Sequence, residues 1–293
     1  MIRELSGTRP LPVILKPVPD ELLSSWITRH ADFYGVAPLT MLRHAIPEAT
    51  SLRQTDTNLG PTAAVDIARL FRTQPSTILA MTTSGFPKSA AQLVAPRAIQ
   101  CCIPCCEQNR SRGAATAVQR SWTEGWRITC PVCRQRQQET REGSSALAST
   151  SLPFEDLWVD AVQGERLIDQ SLTGASVGWV SPIDIVRLLL IRRCPKPVRH
   201  HPSIGRCTIL GAVVPGFDEL VAEQRLPRPT IARPILPIGL RMALLAGVSI
   251  VYQAGPTYVS GLKRQTLGAY YTRFAAIDAR ISVSRNSQSL QVN

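Results

Sequence analysis

Four cysteines at paired spacing are the residues of this chain best suited to chemistry. Cys102–Ile103–Pro104–Cys105 and Cys130–Pro131–Val132–Cys133 are each C-x-x-C, with 24 residues between them. Such a pair puts two sulfurs on one tight knuckle, and two knuckles supply the closed tetrahedral shell of a structural zinc site. A catalytic zinc keeps one position open, so four thiolates point to architecture rather than reaction. The first knuckle carries two further thiols, Cys101 and Cys106, but only Cys102 and Cys105 have the two-residue spacing. The competing reading is a set of buried free cysteines, which are common in cores. A redox pair fits less well, because no βαβ pattern surrounds either motif.

The second chemical signal is charge. The 293 residues carry 33 Lys and Arg against 21 Asp and Glu, a net charge of +12 and a pI near 9.9. Only four of the 33 are lysines (Lys16, Lys88, Lys196 and Lys263), which leaves 33 − 4 = 29 arginines. Guanidinium forks onto phosphates and guanine edges, so an arginine-rich basic chain points to nucleic acid. Codon bias in a GC-rich genome produces the same composition. The candidate contacts to nucleic acid or a partner are Arg72, Ser76 and Lys88, then Arg110, Arg112, Arg120, Arg127, Arg134 and Arg136 around the knuckles, then Lys263 and Arg264. No Gly-rich phosphate loop, H-E-x-x-H or G-x-S-x-G occurs, and four histidines without a carboxylate cluster do not make a metal nuclease. The chain reads as a non-enzyme.

Helices position these residues. Pro17, Pro19 and Asp20 precede a helical apolar pattern of Leu22, Leu23, Trp26, Ile27, His30, Phe33 and Tyr34, with Asp20 as its expected cap and Gly35 as its stop. A second helix is expected over Pro38–Ala45. Thr62–Arg72 and a short helix from Pro75 flank the turn Thr73–Gln74, the outline of a helix-turn-helix; a hairpin that only packs a core has the same outline. Trp122 and Trp126, just before the second knuckle, are expected to supply the core of a small zinc domain, with base stacking as the sharper alternative.

The expected fold is mainly α. A helix-turn-helix-like domain spans 1–95, a small zinc-ribbon-like domain 96–141, a Ser/Gly-rich linker 142–152, and a helical domain 153–293 with a second helix-turn-helix-like unit around Ala254–Thr257. Cys194, His200, His201 and Cys207 are evenly spaced, which leaves a second metal site as the minor alternative, but they lack knuckle spacing. There is no apolar leader segment, the apolar stretch Met242–Tyr252 is too short to span a bilayer, and no disulfide framework shows; a cytoplasmic protein without a membrane partner fits.

The order of these features resembles the TniQ family, which includes the TnsD-type target selectors of bacterial transposons. Pro17-x-Pro19–Asp20–Glu21–Leu22–Leu23–Ser24–Ser25–Trp26 is similar to the family's opening proline, acidic residue and S-S-W helix, with Arg29 and Gly35 at matching places. C-x-x-C, Arg120–Ser121–Trp122 and C-P-x-ligand follow. Where the family commonly has C-P-x-H, this chain has Cys133, which makes the shell all-sulfur and more anionic. The resemblance implies a transposition accessory with one structural zinc, held by Cys102, Cys105, Cys130 and Cys133. It implies target-site selection, DNA binding, a homodimer, and a bridge to a transposon AAA+ ATPase or a CRISPR effector complex. The alternative is a zinc-ribbon or helix-turn-helix transcription regulator, or a phage-type DNA-binding protein, without a role in transposition.

Overall fold

The computed structural model describes residues 9–140, 153–174, 178–192, 207–226 and 229–263. It is mainly helical, as the periodicity implies. The linker 142–152, Cys194, His200, His201, Arg264 and the side chain of Lys263 lie outside the described part. Contacts divide the chain into two units. The first takes in the chain up to Phe86, Ala95–Glu124 and Thr129–Thr140; the second takes in Pro87–Val94, Gly125–Ile128 and the chain beyond Thr140. The sequence division at residue 95 does not coincide with this one: the N-terminal helices and the cysteine knuckles share a unit.

The first unit opens with α1 (Leu23–Tyr34), α2 (Pro38–Ala45), α3 (Leu52–Thr57), α4 (Pro61–Leu70) and α5 (Pro75–Ala80). Prolines at the starts of α2, α4 and α5 supply a preset φ where no N–H is needed. Gly35 ends α1 in the left-handed region at φ 66, as expected of a glycine stop. The expected Asp20 cap does not form. Asp20 itself sits at φ 58, and its carboxylate accepts from the Ser121 backbone N–H at 3.1 Å. The free amides at the start of α1 find partners far along the chain instead: Leu22 donates to the Val118 carbonyl and Leu23 to the Met81 carbonyl. The core gathers Trp26, Ile27, Leu42, Ile67, Leu70, Phe71 and Ile78. Trp26, His30 and Phe71 stack within it at centroid distances of 4.6–4.9 Å. Phe33, expected on the same apolar face, points outward and is 55% exposed.

His30, in the apolar pattern of α1, is part of that core. Its Nδ1 donates to the Trp26 carbonyl and its Nε2 accepts from the Leu15 N–H, both at 2.9 Å. Burial holds its pKa below the usual value, so the neutral ring persists. Glu21, also buried, receives both Arg29 Nε (2.8 Å) and Arg29 Nη2 (3.1 Å), the Ser25 hydroxyl and the Val18 N–H. The sequence motif E-L-L-S-S-W-I-T-R is thus one packed face of α1 and its lead-in.

In the second unit α7 (Trp158–Leu172), α8 (Pro182–Leu189) and α9 (Ile209–Val213) pack on α11 (Ile238–Lys263), and α10 (Phe217–Glu223) packs on α9. Gly164 lets α7 and α11 approach: a Cβ there would lie 2.0 Å from the Leu245 carbonyl oxygen. Gly255, at φ 78 and ψ −176, breaks α11 just before Pro256, at the turn expected over Ala254–Thr257. Ile238–Leu262 is, by length and composition, long and apolar enough to cross a membrane, contrary to the shorter stretch read from sequence; 72% of its apolar window is buried against the rest of the protein. Trp126 belongs to this unit, not to a zinc-domain core. Its indole N–H donates to Asp169 at 3.0 Å.

Candidate metal centre and basic surface

The two knuckles are built differently. Cys102 is the N-cap residue of α6 (Ile103–Ser111), and Cys105 lies in its first turn, with the Cys106 N–H bonded to the Cys102 carbonyl at 2.9 Å. The Cys130 knuckle is a tight loop in which the Arg134 N–H returns to the Cys130 carbonyl at 2.9 Å. Arg134 closes it in the left-handed region at φ 65. A bridge between Thr129 and Arg136 completes the loop, and the chain then runs as β2 (Gln138–Glu139) antiparallel to β1 (Gln100–Cys101). This short ladder holds the second knuckle against the start of α6. The four cysteines and two strands form the small zinc-ribbon-like part of an otherwise helical unit.

All four thiol sulfurs lie within 4.8 Å of one another. Cys102 and Cys133 Sγ are 3.2 Å apart, Cys105 and Cys130 Sγ 3.6 Å. A tetrahedron of metal–sulfur bonds of about 2.3 Å has edges of about 3.8 Å, so one small divalent cation fits the set. Burial pushes the Cys102 and Cys105 thiols up, Cys105 to about 12, and neighbouring thiols add to it. At Cys133 burial also raises the pKa, but bonds from the Gln135 backbone and the neighbouring thiols outweigh it and leave it low. Four thiolates in one buried shell require a compensating positive charge, which a bound cation supplies. The N-terminal end of α6, directed at Cys102 and Cys105, adds partial positive charge. Cys101 and Cys106 are outside the cluster.

The candidate basic contacts fall into two groups. Arg72, Arg110, Arg112, Arg134 and Arg136 are exposed in the first unit, as is Ser76. Arg120 and Arg127 are engaged internally. Arg120 lies between Asp20 (3.4 Å) and Glu124 (3.5 Å) and over the Phe86 ring. Arg127 pairs with Glu165 at 3.2 Å and with Asp169, and its carbonyl accepts from Arg241 at 2.5 Å. Lys88 is exposed on a 3₁₀ turn over Lys88–Leu93 that belongs to the second unit, not to the α4–α5 hairpin. That hairpin forms as expected, but α5 reads Pro-Ser-Thr-Ile-Leu-Ala and has no cation. What the sequence reading missed is the buried Glu21–Arg29 pair. Its signal was present in Glu21, Ser25 and Arg29, spaced four apart along one helical face.

Compared with known proteins, residues 12–154 match the model of the TniQ family. The matched segment contains the α1 motif, the α4–α5 hairpin and all four clustered cysteines. No curated protein and no solved structure matches the chain.

Proposed function

We propose, from the TniQ match over residues 12–154, that this chain is a non-enzymatic accessory of transposition that selects the insertion site. In this reading it binds DNA and bridges it to the AAA+ ATPase of a transposon, or to a CRISPR guide complex, acting as a homodimer in the cytoplasm. The match carries the reading. Two further observations support it. Glu21, Trp26 and Arg29, inside the matched range, help to hold the first unit together. Arg72, Arg110, Arg112, Arg134 and Arg136 of that unit all stand exposed, and the whole chain carries a net charge of +12, which suits a polyanion.

One Zn²⁺ is the cation proposed for the cysteine cluster. Cys102, Cys105, Cys130 and Cys133 would hold it as a closed shell, and its contribution would be to fold the segment around α6, not to activate water. DNA contact is assigned to the exposed Arg72, Arg110, Arg112, Arg134 and Arg136. Because α5 lacks a side chain that forks onto bases, these contacts would be mainly to phosphate, and target choice would depend on partners.

Duplex-DNA binding titrated against salt tests the first half of the reading. The observed affinity should fall steeply and linearly on a log–log plot, by about 0.9 per phosphate neutralised. Affinity that stays flat from low to moderate salt leaves no role for DNA. Co-purification from cells carrying the neighbouring genes tests the second half: the ATPase should be retained, and its absence would reduce the chain to a DNA-binding regulator.

A further inference from the structure

An open cleft of about 1050 Å³ lies in the first unit, beside the lead-in to α1 and apart from the cysteine cluster. Its floor is the extended segment through Pro17 and Pro19. Phe33 stands on one wall, 55% exposed. Lys16 and Arg112 are exposed on the lining, and neither makes an ion pair among the described residues. Asp32, next to Phe33, is exposed as well. The Tyr34 ring meets Phe33 edge-on at 5.1 Å between centroids, and the Phe33 ring is otherwise left in water, whereas Trp26 and His30 of the same helix are buried.

The chemistry of these four side chains selects among occupants. Two cations ask for anionic groups, and the ring asks for a flat apolar face. Asp32 disfavours an acidic peptide, since it would meet carboxylates. It suits a ligand that brings phosphate to the cations and an exocyclic amine to the carboxylate, because an aspartate accepts from an amine such as cytosine N4. Unpaired cytidine, adenosine and guanosine nucleotides have all three features, and thymidine lacks only the amine. We propose that this cleft is a binding site for single-stranded DNA: a base stacks on Phe33, its amine bonds Asp32, and the flanking phosphates lie on Lys16 and Arg112. Base–aromatic stacking with a cationic track is the usual way a protein holds a single strand. This rests on the DNA-binding reading above and adds the strand state to it: the protein engages DNA that has been locally opened.

The test uses the zinc-loaded full chain and fluorescence anisotropy with labelled oligo(dC), oligo(dT) and a mixed-sequence duplex. Phe33→Ala should weaken oligo(dC) about tenfold, within the range of a lost stacking contact, while duplex affinity and melting temperature stay as in the wild type. Phe33→Leu keeps the bulk and should lose nearly as much. Lys16→Gln with Arg112→Gln should flatten the single-strand salt slope by about 1.4, two phosphates at about 0.7 each. Asp32→Asn should narrow the preference for oligo(dC) over oligo(dT). The cleft assignment fails if these variants bind oligo(dC) like the wild type. It fails alone if the wild type binds duplex but no single strand, and together with the DNA reading if it binds neither. Loss of a co-purifying protein with single-strand affinity intact would reassign the cleft to a protein partner.

Discussion

Asp56 caps a helix to which it does not belong: its Oδ1 accepts the Ser24 backbone N–H at 2.9 Å, so a carboxylate from α3 satisfies the first turn of α1. Its backbone carbonyl also accepts from the Thr83 N–H and hydroxyl. Burial raises the Asp56 pKa to about 6, against the bonds from Ser24. Between about pH 4 and pH 6 the folded state therefore holds a proton that the unfolded chain has released, and stability falls as pH rises through that window. Asparagine keeps the accepting oxygen and removes the charge. The stability of Asp56→Asn minus that of the wild type should thus rise from pH 4 to pH 6, by on the order of 2 kcal/mol, and level off above. His30 acts in the opposite sense, since its lowered pKa costs stability as pH falls below about 6.5. It is common to both proteins and cancels in the difference. Denaturant midpoints at several pH values supply the curve, and a flat difference would mean that Asp56 is not charged at the cost inferred.

Metal content follows from the sulfur cluster. Purified protein should hold one zinc per chain, and Ser at Cys102, Cys105, Cys130 or Cys133 should lower that content and unfold the segment around α6. Ser at Cys101 or Cys106 should leave it unchanged. Metal analysis with circular dichroism reads both effects. Full zinc in a double Cys130→Ser, Cys133→Ser variant would remove the second knuckle from the site.

Trp26 is structural even though it belongs to the matched motif. It is 1% exposed, donates to the Leu15 carbonyl at 2.9 Å and packs on Phe71. Trp26→Ala should cost about 3–5 kcal/mol and appear first as a lower melting temperature. Arg72→Gln, at an exposed site, should leave melting unchanged and weaken DNA. A Trp26→Ala protein that melts normally but loses a partner would make Trp26 an interface residue.

The Glu21–Arg29 pair separates breaking an interaction from replacing it. Glu21→Gln strands the Arg29 charge and should destabilise by about 3–5 kcal/mol. Glu21→Gln with Arg29→Met, which removes both charges, should recover a good part of that loss. Thermal melts of the two singles and the double form the cycle. Additive losses would show that the pair is not coupled.

What was legible in the sequence was local. C-x-x-C spacing, prolines at helix starts and Gly35 after α1 each act within a few residues, and all appear in the structure. What was not legible depended on partners distant in the chain. Asp20 has the right type and position for a cap, but its positive φ turns it toward Ser121. Phe33 has the right phase for the core, yet only the edge of Tyr34 meets it and it stays 55% exposed. Arg120, Arg127 and Trp126 look alike as basic and aromatic residues near a knuckle, and only the fold shows that carboxylates take all three. The two helices across a tight turn form as read, while the composition of α5, readable from the start, argues against base reading by that helix.

The bonds that tie α1 to residues 118–121 also have a temporal side. Ser25 and Val118 are 93 residues apart, Asp20 and Ser121 101 apart. On the ribosome, α1 emerges long before its partners, with the amides of its first turn unsatisfied and Trp26 lacking its full surroundings. Contacts of such sequence separation slow folding, because the closure entropy of the intervening chain is spent before they form. The segment that closes α1 lies between the two knuckles, so a metal ion held by Cys102, Cys105, Cys130 and Cys133 would close residues 118–121 into a loop of their own, ready for α1 to dock on. Metal supply during synthesis would then bear on how the N-terminal helices mature, although none of their residues belongs to the cysteine cluster.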